Sequence, residues 1–213
     1  MSIKDLFILG KSEATITMIL DNLESCQSFP RIKIINNLEL TFEKEYRNEK
    51  FDIEILKSFE GQNEETSFVL GGFQTGTKRR LFENFGLSPS KFATIIHASS
   101  SVSSTVKLGN GCLINSLVSI AAWSELGDFV SVNRNASVGH HTVISGFVTL
   151  NPGCHVAGNV FIGENTQIGM GANIIDGTKI GRNSIVGAGA LVTKDVPDHV
   201  MVYGSPAKVI KEI

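Results

Sequence analysis

The chain has 213 residues, of which 42% are hydrophobic and 19% are charged, and its formal net charge at pH 7 is −2. A charge this small gives no reason to expect nucleic acid or an anionic membrane as a partner. The earliest apolar run, residues 6–9, is far shorter than a membrane span or the core of a signal peptide, so we expect a cytoplasmic protein.

The first 95 residues predict a small α/β domain. Residues 6–9, Arg31–Ile35 and Ser67–Leu70 are apolar runs of strand length. Apolar residues at helical spacing follow the first run, and a second helix is expected over residues 77–85, before Gly86. We interpret residues 51–62 as an irregular or partly helical connection. Strands that alternate with helices indicate a parallel, Rossmann-like sheet.

Ligands of parallel sheets bind at the carboxyl ends of the strands. The candidate substrate-binding residues at these ends are Gly10, Lys11, Ser12, Asn36, Asn37 and Gly72. A lysine there could bind a phosphate group. The alternative is a set of plain turns with a solvated lysine, since glycine and asparagine commonly follow strands for that reason alone.

Composition changes near residue 96. Ten of the thirteen phenylalanines precede it, whereas only nine of the 99 residues 96–194 are charged. From there an aliphatic residue returns at every sixth position, seventeen times in succession. The series is Ile96, Val102, Leu108, Ile114, Ile120, Leu126, Val132, Val138, Ile144, Leu150, Val156, Ile162, Ile168, Ile174, Ile180, Val186 and Val192. This is a hexapeptide repeat, and it implies a second domain over residues 96–213.

The repeat predicts a parallel β-helix. The aliphatic residue at position one and the small or β-branched residue at position five point to the same side of a strand, and positions three and four turn the chain. Three hexapeptides, each with one short strand and one corner, make a triangular coil that stacks on the next coil. The spacing between Cys112 and Cys154 is not a whole number of coils, so we expect no disulfide between them.

The informative interruption of the repeat is Gly139-His140-His141. The two histidines occupy corner positions three and four. At position three, the residues one coil before and one coil after His140 are small: Ala122 and Gly158. His140 is therefore expected to project into a cleared gap. A solvated histidine at a turn is the alternative interpretation.

The repeat, the Gly139-His140 pair, residues 156–160 and the ending from Asp195 through Gly204-Ser205-Pro206 together resemble the NeuD/PglD family of bacterial sugar acetyltransferases. The resemblance spans nearly the whole chain. It implies left-handed coils, a homotrimer, acetyl-CoA in the groove between neighbouring coils, and an N-terminal domain, residues 1–95, that holds a nucleotide-linked sugar. Residues 96–213 would then be the acyltransferase domain with a closing C-terminal segment.

The same resemblance implies residue roles. His140 matches the general base, and Asn133 matches an asparagine near the active site. Along the cofactor path lie Thr149, Gly158, Met170 and Ala188, with the Gly158 amide at the thioester oxygen. The sequence departs from the family in four places. His141 replaces an acidic residue, and Thr149 replaces a histidine. The glycine-rich loop after the first strand is reduced to residues 10–15, and Asn36-Asn37 replace an acidic pair on the second strand.

We therefore expect an acetyl-CoA-dependent N-acetyltransferase acting on the amine of a nucleotide-linked deoxyamino sugar, for surface glycan synthesis, with no metal. An imidazole base suits this chemistry because it titrates near neutral pH. O-acetylation of sialic acid or a similar sugar is the main alternative. A zinc hydratase of the carbonic anhydrase type needs histidines five residues apart, whereas His140 and His155 are fifteen apart. A scaffold without catalysis would not need a base beside a cleared corner.

Overall fold

The computed structural model describes residues 5–10, 12–26, 29, 31–35, 50–56 and 66–213. The N-terminal part is a four-stranded parallel sheet in the order β3-β2-β1-β4, with two helices. Its elements are β1 Asp5–Leu9, α1 Glu13–Cys26, β2 Arg31–Ile35, β3 Asp52–Leu56, β4 Ser67–Leu70 and α2 Thr75–Phe85, followed by a short 3-10 helix, Pro89–Lys91. No helix of these described residues is long and apolar enough to cross a membrane.

Two of the three predicted strands have the predicted bounds, and the third, β1, begins one residue earlier. The face of α1 was also predicted correctly: Ile16, Ile19 and Leu23 are fully buried against the sheet. The small parallel-sheet domain with helices is thus present. Because residues 36–49 and 57–65 lie outside the described part, its Rossmann-like topology stays a prediction.

The interpretation of residues 51–62 as irregular or partly helical was wrong for Asp52–Leu56, which form strand β3. This strand lies at the sheet edge beside β2, so only part of its surface is buried, and charged side chains alternate with apolar ones. The register places Asp52 opposite Arg31 and Glu54 opposite Lys33. Opposite charges on neighbouring strands stabilise such a pair, and they also conceal it in a search for apolar runs.

The rest of the chain is a parallel β-helix. Seventeen strands of two residues each stack on three faces, and every strand pairs with its equivalent in the neighbouring coil. They are β5 Ile95–Ile96, β6 Ser101–Val102, β7 Lys107–Leu108, β8 Leu113–Ile114, β9 Ser119–Ile120, β10 Glu125–Leu126, β11 Ser131–Val132, β12 Ser137–Val138, β13 Val143–Ile144, β14 Thr149–Leu150, β15 His155–Val156, β16 Phe161–Ile162, β17 Gln167–Ile168, β18 Asn173–Ile174, β19 Lys179–Ile180, β20 Ile185–Val186 and β21 Leu191–Val192. A hairpin of β22 Val200–Gly204 and β23 Ala207–Glu212 closes the end.

The core of the coil consists of the repeat positions named from the sequence. The aliphatic residues from Ile114 to Val192 and their small partners are almost fully buried in one continuous cluster. Cys112 and Cys154 belong to it as free thiols, as expected. Burial raises the pKa of the Cys112 thiol to about 11 and that of Cys154 to about 12, so neither is a ready nucleophile.

The corners turn at the fourth repeat position. Every sixth residue from Gly111 to Gly189 has a positive φ, and nine of these residues are not glycine. Four of the nine are asparagine, which tolerates this left-handed conformation. His141, with φ 54°, occupies the same position in its coil, so its backbone is set by the repeat.

Helix α2 packs against one face of the coil. Phe129 contacts Phe82, Phe92 and Phe147, with ring centroids 4.8, 5.0 and 4.9 Å apart. Beside this aromatic cluster, the fully buried Lys78 donates hydrogen bonds to the coil. Its Nζ lies 2.8 Å from Phe129 O, 3.0 Å from Val148 O and 3.2 Å from Ser131 Oγ. The small sheet is therefore held on the coil by both apolar and polar contacts.

Candidate active site

The candidate site is built on one corner of the coil, where the same turn recurs once in every coil. Hydrogen bonds between coils fix the corner: His141 N donates to Ala122 O over 3.1 Å, and Asn159 N donates to His140 O over 2.8 Å. Both histidine side chains are exposed. The repeat thus presents two imidazoles to solvent from a rigid backbone.

The two imidazoles contact each other through one nitrogen each. His140 Nδ1 and His141 Nδ1 are 3.1 Å apart, and the rings are nearly perpendicular at 84°. One nitrogen must carry a proton and the other must accept it. When His140 is the donor, its Nε2 is unprotonated and free to accept a proton. A neutral His141 can therefore orient His140, although it cannot supply the negative charge of the acid that it replaces.

Gly158 lies under the ring of His140, one coil further along. A Cβ atom on Gly158 would be 2.8 Å from both Cε1 and Nε2 of His140. Any side chain would therefore displace the imidazole. Within the described part of the chain, the N–H of Gly158 donates no hydrogen bond. The corner thus combines an imidazole nitrogen with a backbone donor that is available to a ligand.

Two further side chains extend the site along the corner. Trp123, one coil before His141, is 61% exposed, and its ring stacks on His141 at 27° with centroids 6.5 Å apart. Asp176, one coil after Gly158, has its Oδ1 3.0 Å from the point where a Gly158 Cβ would be. Asn159 Nδ2 donates to this carboxylate over 3.3 Å. Four successive coils therefore each contribute a residue to one line of stacked corners.

The expected cofactor residues do not all line one surface of a single chain. Met170 and Ala188 are exposed and stack at the preceding corner, where Gly189 N donates to Met170 O over 2.8 Å. The next face along the chain, which carries β15, runs from this corner to the corner of Gly158. Thr149 is on a different face, where it is buried and donates to Phe73 O over 3.0 Å.

Asn133 is also separated from His140. It is buried at the corner that precedes the histidine corner. Its Oδ1 accepts from Asn115 Nδ2 at 3.2 Å and from Arg134 N at 2.7 Å. Asn115 in turn accepts from Asn22 of helix α1 at 2.9 Å. In this chain Asn133 takes part in an asparagine network between the helix and the coil.

The described substrate-binding candidates lie at the carboxyl ends of β1 and β4 in the N-terminal sheet, and their role stays a prediction. Gly10 N donates to Ile35 O over 3.1 Å, and Ser12 N donates to Gly71 O over 3.2 Å. A Cβ on Gly72 would lie 2.7 Å from Thr77 Cγ2, so this glycine allows helix α2 to approach the sheet. The candidates Lys11, Asn36 and Asn37 lie outside the described residues.

Sequence reasoning missed three residues. Trp123 and Asp176 each lie one coil from a residue that was singled out, so the repeat length itself could have found them. Lys78 gave no such signal because Lys78-Arg79-Arg80 has the pattern of a solvated helix surface. Burial lowers the pKa of Lys78 to about 7. Among the residues that the structure describes, no three His, Cys, Asp or Glu side chains are grouped as metal ligands would be.

Comparison with known proteins places this geometry in context. Residues 159–194 match the family described as "Bacterial transferase hexapeptide (six repeats)". No curated protein matches the chain.

Three solved structures share the fold over nearly the whole chain. The acetyltransferase domain of PglB from Neisseria gonorrhoeae, solved with acetyl coenzyme A, is 24% identical with a TM-score of 0.83, over 99% of this chain and 100% of that one. PerB from Caulobacter crescentus, solved with CoA and GDP-perosamine, is 24% identical with a TM-score of 0.78, over 99% and 98%. WeeI from Acinetobacter baumannii is 21% identical with a TM-score of 0.76, over 98% and 99%.

These matches define the class of fold: a small parallel-sheet domain followed in the chain by a left-handed parallel β-helix of hexapeptide repeats. At these identities the likeness is one of fold. The resemblance to the NeuD/PglD-like family that was drawn from the sequence is confirmed in this sense.

Proposed function

We propose that the protein is an acetyl-CoA-dependent N-acetyltransferase that acylates the amine of a nucleotide-linked deoxyamino sugar. The observation that carries the proposal is the ring of His140 over the unsubstituted backbone of Gly158. The shared fold supports the assignment, because PglB was solved with acetyl coenzyme A and PerB with CoA and GDP-perosamine.

His140 is the general base in this proposal. The amine nitrogen attacks the thioester carbonyl carbon, the new N–C bond forms, and Nε2 of His140 takes one proton from the nitrogen. The C–S bond then breaks, and the thiolate of CoA recovers the proton from His140. Throughout, Nδ1 of His140 donates to His141, which holds the ring in place. Atoms and charges balance without a further reactant.

The N–H of Gly158 is the proposed donor to the developing oxyanion. Negative charge appears on the thioester oxygen as the amine attacks, and a fixed backbone N–H stabilises it without reorganisation. The free state of this N–H within the described residues supports the role. A side chain at residue 158 would both displace His140 and obstruct the donor.

The remaining sequence assignments enter as proposals. Met170 and Ala188 contribute to the CoA path at the corner before Gly158. Asn133 lies on the same line of corners, two coils before Met170, and Thr149 lies on the face that ends at these corners. Both are buried in the single chain, so their proposed roles at the cofactor and active site rest on the family resemblance. Gly10, Lys11, Ser12, Asn36, Asn37 and Gly72 form the proposed pocket for the nucleotide-linked sugar. We place the reaction in the cytoplasm, in the synthesis of surface glycans.

The amine acceptor is preferred to a hydroxyl acceptor. PerB, which shares the fold, was solved with an amino sugar nucleotide. O-acetylation of sialic acid or a related sugar uses the same base, but no contact among the described residues favours it. The contrast between amine and hydroxyl is therefore part of the test.

The experiment is an acetyl-transfer assay with acetyl-CoA and a panel of acceptors. The panel contains GDP-perosamine, UDP- and dTDP-linked 4-amino-4,6-dideoxyhexoses, and the corresponding 4-hydroxy sugars. We expect CoA release with an amino sugar and none with its hydroxy counterpart. Because Trp123 is the single tryptophan and stacks on His141, its fluorescence also reports acceptor binding. If CoA does not bind, or if no panel member is acetylated, this function is contradicted.

A further inference from the structure

Asp176 differs from the other aspartates at the coil corners in what it contacts. Asp128 lies one coil after Asn110 and caps its backbone, with Asn110 N 2.7 Å from Oδ1. Asp176 bears the same relation to Gly158, yet no hydrogen bond joins Gly158 N to it within the described chain. Its Oδ1 accepts instead from the side chain of Asn159.

A second corner aspartate agrees with Asp128, since Asp198 Oδ1 accepts from Arg182 N over 2.9 Å. Asp195 also binds the backbone, but at strand β19, where its Oδ1 accepts from Lys179 N over 2.8 Å. Among the described aspartates of the coil, Asp176 therefore leaves the backbone N–H next to it unpaired. Besides the bond from Asn159, its carboxylate can accept from a further partner on the open side of the corner.

That open side is where His140 and Asp176 converge. The point at which a Cβ of Gly158 would stand lies 2.8 Å from His140 Nε2 and 3.0 Å from Asp176 Oδ1. A ligand atom cannot occupy that point itself, because it is at bonding distance from the glycine. Because both atoms lie within about 3 Å of this one point, they are less than about 6 Å apart, and two hydrogen bonds of ordinary length can span that distance. The two side chains form no ion pair within 4.0 Å of each other. A small polar group in front of Gly158 can therefore contact both at once.

The chemistry of this pair suits a primary amine. Unprotonated Nε2 and a carboxylate oxygen are both hydrogen-bond acceptors. A primary amine has two N–H hydrogens and a lone pair, so it can satisfy both acceptors and still attack with the lone pair. A hydroxyl has one hydrogen and can satisfy only one of them. The negative charge of Asp176 also attracts the protonated form in which an amine reaches the site, and this form releases one proton to solvent before its lone pair attacks.

We propose that Asp176 is a specificity-determining residue that holds the acceptor amine in front of Gly158 and selects amines over hydroxyls. One N–H proton passes to His140 as the N–C bond forms. The other hydrogen stays on nitrogen in the product amide, and it is the one that Asp176 holds. This inference rests on the proposed acetyl-transfer function and assigns its acceptor class.

The test uses two CoA thioethers, so that it does not depend on knowing the sugar. S-(2-aminoethyl)-CoA places an ammonium group near the position of the attacking nitrogen, and S-(2-hydroxyethyl)-CoA places a hydroxyl there. Affinities are measured by calorimetry on the wild type and on Asp176→Asn, Asp176→Glu and Asp195→Asn. The last variant is the control, because Asp195 is a coil aspartate whose Oδ1 accepts from the backbone of strand β19, at Lys179 N.

We expect the wild type to bind the amine analogue about fivefold more tightly than the hydroxyl analogue, as one partly exposed charged contact gives. Asp176→Asn should abolish this preference with the hydroxyl analogue unaffected, Asp176→Glu should keep part of it, and Asp195→Asn should keep it all. Equal binding of both analogues by the wild type, or an unchanged preference in Asp176→Asn, would overturn the role of Asp176 alone. Failure of both analogues to bind would overturn the acetyl-transfer function, and this inference with it.

Discussion

Lys78 on helix α2 donates a hydrogen bond to the carbonyl oxygen of Phe129, at a corner of the coil, over 2.8 Å. All of its acceptors are uncharged: two backbone carbonyls and the hydroxyl of Ser131. Burial without a carboxylate disfavours the charged form, and this lowers the pKa of Lys78 from 10.5 to about 7. The contact between helix and coil is therefore sensitive to pH.

The first prediction concerns that sensitivity. Between about pH 7 and pH 10.5 the unfolded chain binds a proton on Lys78 that the folded chain has lost, so stability rises with pH in this window. Below pH 7 both states are protonated and the effect ends. We expect the free energy of unfolding of the wild type, relative to Lys78→Met, to increase by on the order of 2 kcal/mol from pH 7 to pH 9. Urea unfolding at several pH values measures it, and parallel curves for the two proteins would refute the shifted pKa.

The second prediction concerns Gly158. Gly158→Ala places a methyl group 2.8 Å from the ring of His140, so the imidazole must move. A misplaced base should lower turnover about a hundredfold or more, with the coil still folded. Gly146→Ala is the control, because it has the same repeat position at another corner and the nearest atom to its Cβ would be Asp128 O at 3.2 Å. Equal activity of the two variants would place the site elsewhere.

The third prediction separates the two histidines. His140→Ala removes the proposed base and should lower turnover by about 10²–10⁴-fold, with little change in acceptor binding. His141→Ala removes only the group that orients it and should cost much less. His141→Glu should match or exceed the wild type, since a carboxylate also accepts the Nδ1 proton and adds negative charge. Steady-state kinetics with an amino sugar acceptor measure the turnover of each variant. An active His140→Ala beside an inactive His141→Ala would assign the base to His141.

The fourth prediction concerns assembly. One face of the coil carries the exposed apolar residues Val143 and Phe161, which stack one coil apart. We expect a homotrimer, because three parallel coils can bury such faces. Light scattering at micromolar concentration should give three times the 23.0 kDa chain mass. A monomeric mass would contradict the homotrimer.

Most of the fold was predictable because the repeat is strict. The six-residue period alone predicts the positions of the strands, of the inward residues and of the corners, including the corner of His140. Strand β3 was not predictable in this way. Its charged residues lie opposite Arg31 and Lys33 on the neighbouring strand, and they interrupt the apolar pattern. The burial of Lys78 depends on how helix α2 meets the coil, and local sequence carries no information about that contact.

The candidate site was predictable where stacking alone decides it. His140 and Gly158 lie one coil apart and meet, as expected from the period. The direction in which a carboxylate points was not predictable. Asp128 and Asp176 occupy equivalent positions, and only their contacts show that one caps the backbone and the other does not. The hydrogen bond between His140 and His141 likewise depends on side-chain rotamers.

The register of the coil limits how the gene for this protein can change in length. Ser137 pairs with His155, and His155 with Asn173, so every residue on a face is set by the number of residues before it. Removing a single hexapeptide between His140 and Gly158 would carry each following side chain to another face and separate His140 from Gly158 and Asp176. Between these residues, an active protein should therefore tolerate only extra residues looped out at a corner or insertions that keep the stacking. A library of random insertions and deletions, selected for activity, would show this restriction directly.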